Sequence, residues 1–264
     1  MLWRPATQGE LTFLTIYEVI GRYISVDVPA PLTLDFLVNE HSFQDFARLH
    51  ATIEIFVRCT RAAAFLQPQI NHLSAQEFGK QLAKLGYLSR HLSSDRRFCE
   101  LVKQTARISV EAKPAKLAVA KEIRESASVC YMCGVKLMQS GGGRNQATTE
   151  HLWPLSLGGE SIESNLIGAC QDCNEKRENS ITWAWGPVQS TDYRHSHGKN
   201  PNVNLRISLA MAKLMMEASG ERRAGQTTLK EAALQHLPLF PTLSIKDDRH
   251  RVYFELLDEV RRTV

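Results

Sequence analysis

Apolar positions recur at three- and four-residue intervals over most of the first ~125 positions, the period of helices with one buried face. A helix is expected from an N-cap at Ser42 to about Leu66, with Pro68 as its stop. Ser74 and Glu77 have the spacing of a capping box and open a second helix, to about His91. Ser94-Asp95 opens a third, with Phe98, Leu101 and Val102 on one side. Pro114, in a first-turn position, opens a fourth that ends near Ser126. Residues 10–30 mix β-branched and aromatic side chains (Thr12, Phe13, Thr15, Ile16, Tyr17, Val19, Ile20) and read equally as strand or helix.

The pattern changes near residue 127. Glycines gather at 141–143 and 158–159, helical periodicity disappears to about residue 185, and short strands around loops are expected. Helical periodicity resumes from Asn204 to Ser219, with Gly220 ending it. Thr228 and Glu231 make another capping box, and Asp247-Asp248 precede a last amphipathic helix carrying Val252, Phe254, Leu257 and Val260. The expected fold class is α+β: a mainly helical chain with a small central module. The expected divisions are a helical region 1–126, the module 127–185 and a second helical region 186–264.

Composition adds little to this picture. The 264 residues are 43% apolar and 23% charged, ordinary values for a globular protein. A net charge of +4 permits nucleic-acid binding without demanding it. The first ten residues lack a signal-peptide core, and no apolar run approaches the ~20 residues of a membrane span. A protein of a reducing compartment, with no membrane partner and a cytoplasmic location, is expected.

Cysteine use changes the picture most. Four of the six cysteines form two short motifs, Cys130-Tyr-Met-Cys133 and Cys170-Gln-Asp-Cys173, separated by 36 residues. Each motif lets two thiolates point at one ion from a tight turn, and four thiolates suit tetrahedral zinc. Gly134 follows the first pair as in a knuckle turn. No βαβ pattern surrounds either pair, which argues against a redox dithiol. A closed site of Cys130, Cys133, Cys170 and Cys173 has no open coordination position, so its zinc would be structural. Cys59 and Cys99 stand alone in helical segments and are expected to be buried apolar residues.

Between the pairs lies Thr149-Glu-His-Leu-Trp-Pro-Leu-Ser-Leu-Gly-Gly, then Asn165-Leu, then Cys170-Gln-Asp-Cys173-Asn174. This stretch resembles the HNH endonuclease family: an acidic residue and His, Pro and Gly-Gly, Asn-Leu, then Cys-x-x-Cys followed by Asn or His. The resemblance covers about 45 residues from Cys130 and implies a ββα-metal fold that hydrolyses phosphodiesters to 5′-phosphate and 3′-hydroxyl ends. It implies His151 as general base, with Glu150 and Asn174 as oxygen ligands of one catalytic Mg²⁺ or Mn²⁺. It gives Asn165 the task of holding the loop and orienting His151. Glu150 stands where the family often has Asp, Asn174 where it often has His, and Arg177 where it commonly has Lys. Lys176 and Arg177 are the expected phosphate contacts. Trp153 is expected to pack against the zinc knuckle, and Trp183 and Trp185 to anchor the tail. His195 and His197 read as a solvated loop or a phosphate contact.

The module itself is not basic. Residues 130–185 carry four Lys/Arg against six Asp/Glu. Residues 86–125 carry nine against five, and residues 186–225 six against three, so cations for a duplex would come from the flanks. The expected substrate is double-stranded DNA. By analogy, long helical flanks resemble effectors of bacterial anti-phage systems, which often work beside an ATPase. Two alternatives stay open: a zinc-stapled binding or scaffold subunit that does not cut, and an RNA-directed nuclease.

Overall fold

A computed structural model describes residues 2–20, 43–86, 90–178, 181, 201–220 and 225–240. Among the described residues seven helices precede the first strand: α1 (Gln8–Ile20), α2 (Phe43–Phe65), α3 (Gln67–Ile70), α4 (Ala75–Gly86), α5 (Arg90–Ser94), α6 (Arg96–Glu111) and α7 (Leu117–Ser126). A hairpin follows, β1 (Ala147–His151) and β2 (Leu166–Cys170), then α8 (Gln171–Arg177). Two further helices span Pro201–Ser219 and Leu229–Gln235. This is the α+β class, mainly helical with one small antiparallel sheet among the described residues.

The ambiguous stretch after residue 10 is helical as far as Ile20, and a capping box fixes its start. Glu10 N donates to Thr7 Oγ1 at 3.2 Å, and Thr7 N donates back to Glu10 Oε2 at 2.9 Å. The boxes at Ser74–Glu77 and Thr228–Glu231 form as expected. Asp95 caps α6 by accepting from Phe98 N at 2.9 Å.

Three expectations need correction. Pro68 does not merely stop a helix; it lies in the first turn of α3, where its missing N–H costs nothing. The helix from Ala75 ends at Gly86, short of His91, which belongs to α5. Pro114 does not open α7, whose N-cap is Lys116. A residue before proline is pushed toward extended backbone, so Lys113-Pro114 stays in a non-helical connector. Ser42 and the expected helix after Asp247-Asp248 lie outside the described residues, as do Trp183, Trp185, His195 and His197.

The core runs without a break from the first helices into the module. α6 contacts both α1 and α2. Cys59 and Cys99 are buried apolar residues, as expected. The aromatic partners of Trp153 come from the first helices and the segment before them, far away in sequence. Trp153 is fully buried, with ring centroids 5.3 Å from Phe13, 5.9 Å from Phe56 and 6.5 Å from Trp3. The N-terminus of α1 also meets the module: Gly9 N donates to Gly158 O, and Gln8 N to Glu160 Oε2, both at 2.9 Å. A Cβ on Gly9 would lie 2.5 Å from Gly158 O, so that approach needs glycine.

Candidate active site and metal centre

The two cysteine pairs converge. Cys130 and Cys133 flank a turn closed by Gly134 N donating to Cys130 O, and Gly134 has φ +72°, a conformation glycine adopts freely. Cys170 ends β2 and caps α8, and Cys173 sits in the first turn of α8. All four Sγ atoms lie within 4.8 Å of one another. Cys133 and Cys170 Sγ are 3.8 Å apart. A tetrahedron with Zn–S of ~2.3 Å has edges of ~3.8 Å, so the sulfurs are spaced for such an ion. This cluster suggests structural zinc. Residues 239 and 240 cover the knuckle, with Leu239 N donating to Tyr131 O and Phe240 N to Met132 O.

β1 pairs with β2 in the register Ala147 to Cys170 through His151 to Leu166. Successive side chains of a strand point to opposite faces. Thr148 and Glu150 therefore face α8. Asn174 Nδ2 donates to Thr148 Oγ1 at 3.0 Å, and Glu150 Oε1 accepts from Arg177. Thr149 and His151 face the other way: Thr149 Oγ1 donates to Ala120 O of α7, and His151 Nε2 lies 3.0 Å from Ser161 Oγ. Glu150 and Asn174 thus share one face, with His151 at the strand end on the other.

Arg177 is 1% exposed. Besides Glu150 it donates to His151 O at 2.7 Å and to Leu152 O at 2.6 Å, clipping the end of α8 to the end of β1. Buried there, its guanidinium meets protein oxygens rather than solvent, where a phosphate would arrive. Lys176 remains near the surface, paired with Asp172 one turn back.

Burial pushes the Glu150 carboxyl up to about 7, while the charge and hydrogen bond of Arg177 pull it down. Burial also works against the Arg177 cation, but Tyr131 and Glu150 more than offset that and hold it charged. The two tendencies oppose each other within one pair. The ionised pair is the consistent state, because a neutral Glu150 would leave a buried guanidinium without its carboxylate counter-ion. Burial first, and then the Arg177 charge, hold His151 below the ordinary imidazole value. Its ring is neutral near pH 7.

The donors on the α8 face fit a divalent cation in chemistry. Glu150 Oε2 is buried and has no hydrogen-bond partner among the described residues. The amide oxygen of Asn174 is a second hard donor, and Mg²⁺ takes one or two such ligands with retained water. Arg177 already holds the other oxygen of Glu150, so a cation would share that carboxylate with a fixed guanidinium.

Asn165 grips the loop, not the histidine. Its Oδ1 accepts from Trp153 N at 2.7 Å, and its Nδ2 donates to Trp153 O and Glu160 O, both at 2.9 Å. The direct partner of His151 is Ser161, which sequence reasoning did not single out. A serine in a Gly-Gly-Glu-Ser loop carries no distinguishing signal. Ser161 also lines a cleft of about 940 Å³ with Lys113, Pro114, Lys116, Glu160 and Lys230.

Residues 130–184 match the HNH endonuclease family. The segment that holds both cysteine pairs, Glu150, His151, Asn165 and Asn174 is therefore an HNH endonuclease module, which implies a nuclease acting on nucleic acid. Comparison with curated proteins and with solved structures finds no match. Among the described residues no helix is long and apolar enough to cross a membrane.

Proposed function

We propose that the protein is a metal-dependent endonuclease that hydrolyses DNA phosphodiester bonds, with His151 as general base. The observation that carries this reading is the half-buried His151 ring at the end of β1, tied to a residue of the cleft wall within a family-matching segment, where burial favours its neutral form. His151 takes a proton from the attacking water as its oxygen bonds to phosphorus. The bond from phosphorus to the 3′ oxygen breaks, and that oxygen leaves with a proton from solvent. The products are 5′-phosphate and 3′-hydroxyl ends. Glu150 and Asn174 would hold a Mg²⁺ or Mn²⁺, which supplies charge neutralisation at the phosphate and the departing oxygen. Asn165 keeps the 153–160 loop in register beneath this site.

Substrate affinity draws on cations outside the module. Lys113 and Lys116 are exposed on the α6–α7 connector and line the cleft, and Lys176 lies near the surface of α8. Lysines in such positions contact phosphate without reading sequence. Arg177 acts in this reading by holding Glu150 rather than by touching substrate. The long helical flanks leave room for a protein partner, and by the analogy with anti-phage effectors we assign the partner role to an ATPase.

Plasmid nicking with Mg²⁺ or Mn²⁺, comparing wild type with His151→Ala beside an RNA substrate, tests the proposal. Loss of DNA cleavage of ~100-fold or more in the variant is expected for a general base. Equal cleavage by both proteins would sink the role of His151, and preference for RNA would move the substrate class. One observation favours a second reading, a binding subunit that does not cut: Glu150 is already neutralised by Arg177. Tight DNA binding with no cleavage under either metal would support it.

A further inference from the structure

We infer that Ser161 is a positioning residue for His151, and that it works by relaying the ring to a backbone carbonyl outside the family-matching segment. Ser161 Oγ lies 2.6 Å from Lys113 O and 3.0 Å from His151 Nε2. A carbonyl only accepts, and a serine hydroxyl has one proton. That proton is committed to Lys113 O, so Ser161 Oγ must accept from His151. Nε2 therefore carries the hydrogen, and Nδ1 keeps the lone pair available to take a proton from water. The opposite tautomer would set the Nε2 lone pair against the serine oxygen.

Lys113 O is free for this duty because Lys113 precedes Pro114, in the connector between α6 and α7 that no helix claims. The helical region thus reaches into the chemistry through one carbonyl. α1 braces the same loop, through Gln8 N on Glu160 Oε2 and Gly9 N on Gly158 O. Excised from the helices, the module would keep its cysteines and its histidine but lose the group that fixes the ring.

The inference rests on His151 being the general base, and its test separates the two. Nitrogen-15 spectra of the zinc-loaded full chain, without added Mg²⁺ or Mn²⁺, report which ring nitrogen is protonated. His151→Gln identifies the signal among the nine histidines. Wild type is expected to show protonated Nε2 and bare Nδ1, Ser161→Ala a mixture of tautomers, and Ser161→Thr the wild-type pattern. Cleavage by Ser161→Ala should fall ~10- to 100-fold in kcat with KM little changed, and Ser161→Thr should recover most of it. A protonated Nδ1 in wild type overturns the relay outright. A tautomer mixture in Ser161→Ala with undiminished cleavage overturns the positioning role. Full activity of His151→Ala instead removes the general-base reading, while the tautomer result stands on its own.

Discussion

The two ends of the β1–β2 hairpin are held by different physics. At the Ala147–Cys170 end, four sulfurs spaced for one ion gather the knuckle, the strand end and the first turn of α8. At the His151–Leu166 end no such cluster occurs among the described residues. There the loop is held by the Trp153 ring among Trp3, Phe13 and Phe56, by Asn165 and by the N-terminus of α1. The first end draws on ligands near each other along the chain. Besides Asn165, the second draws on residues far away in sequence, from Trp3 to Phe56. The end that would do chemistry is the one that leans on the first helices.

The largest effect should come from breaking the sulfur end. Structural zinc in small domains contributes ~10 kcal/mol or more of apparent folding free energy, because the site hardly exists in the unfolded chain. Cys170→Ser, or treatment with a strong chelator, is expected to unfold the module as followed by circular dichroism, with stoichiometric zinc lost in metal analysis. The helical region has its own buried residues in α1, α2 and α6, and part of the helical signal should survive. A chain that binds no zinc, yet melts like one that does, would remove the contrast between the two ends.

Trp153→Ala attacks the other end. Removing a fully buried tryptophan costs ~3–5 kcal/mol, and here the cavity would open between α1, α2 and the module. Zinc content should be unchanged while cleavage falls, because the loop that carries Gly158 through Ser161 loses its anchor. Loss of zinc together with Trp153 would mean that the ends are coupled more tightly than their separate contacts imply.

Legibility in the sequence follows the same division. The cysteine pairs and two capping boxes, Ser74–Glu77 and Thr228–Glu231, were readable because each is a local device with a fixed spacing. Thr7 and Glu10 have that same spacing, but the β-branched and aromatic run behind them obscured the helix they start. Pro114 misled for a local reason. Its effect on the residue before it outweighed its fitness for a first turn, and that left the Lys113 carbonyl free. The partners of Trp153 were not legible at all, since no spacing rule links residue 153 to residues 3, 13 and 56. Ser161 belongs to the same class: its role exists only because the connector passes beside it.

The smallest predicted effect sharpens the comparison through pH. Glu10 supports the packed end, accepting from Thr7 N at 2.9 Å, from Ala6 N at 3.1 Å and from Trp3 Nε1 at 3.2 Å. Burial nevertheless raises its pKa to about 7, with those hydrogen bonds pulling the other way. A carboxyl whose folded value lies above its ordinary one gives its full contribution to stability only below the ordinary value. That contribution is lost as pH rises through about 7, an amount of order ~3 kcal/mol. Urea midpoints for wild type and Glu10→Gln at about pH 5 and about pH 8 should therefore draw together or cross as pH rises, wild type losing more. The sulfur end contributes in the opposite sense, since thiolates bind zinc better as pH rises, and it is common to both proteins. A pH-independent difference between them would mean that the capping bonds keep Glu10 ionised throughout, and that the packed end, like the sulfur end, is held by charge as well as by contact.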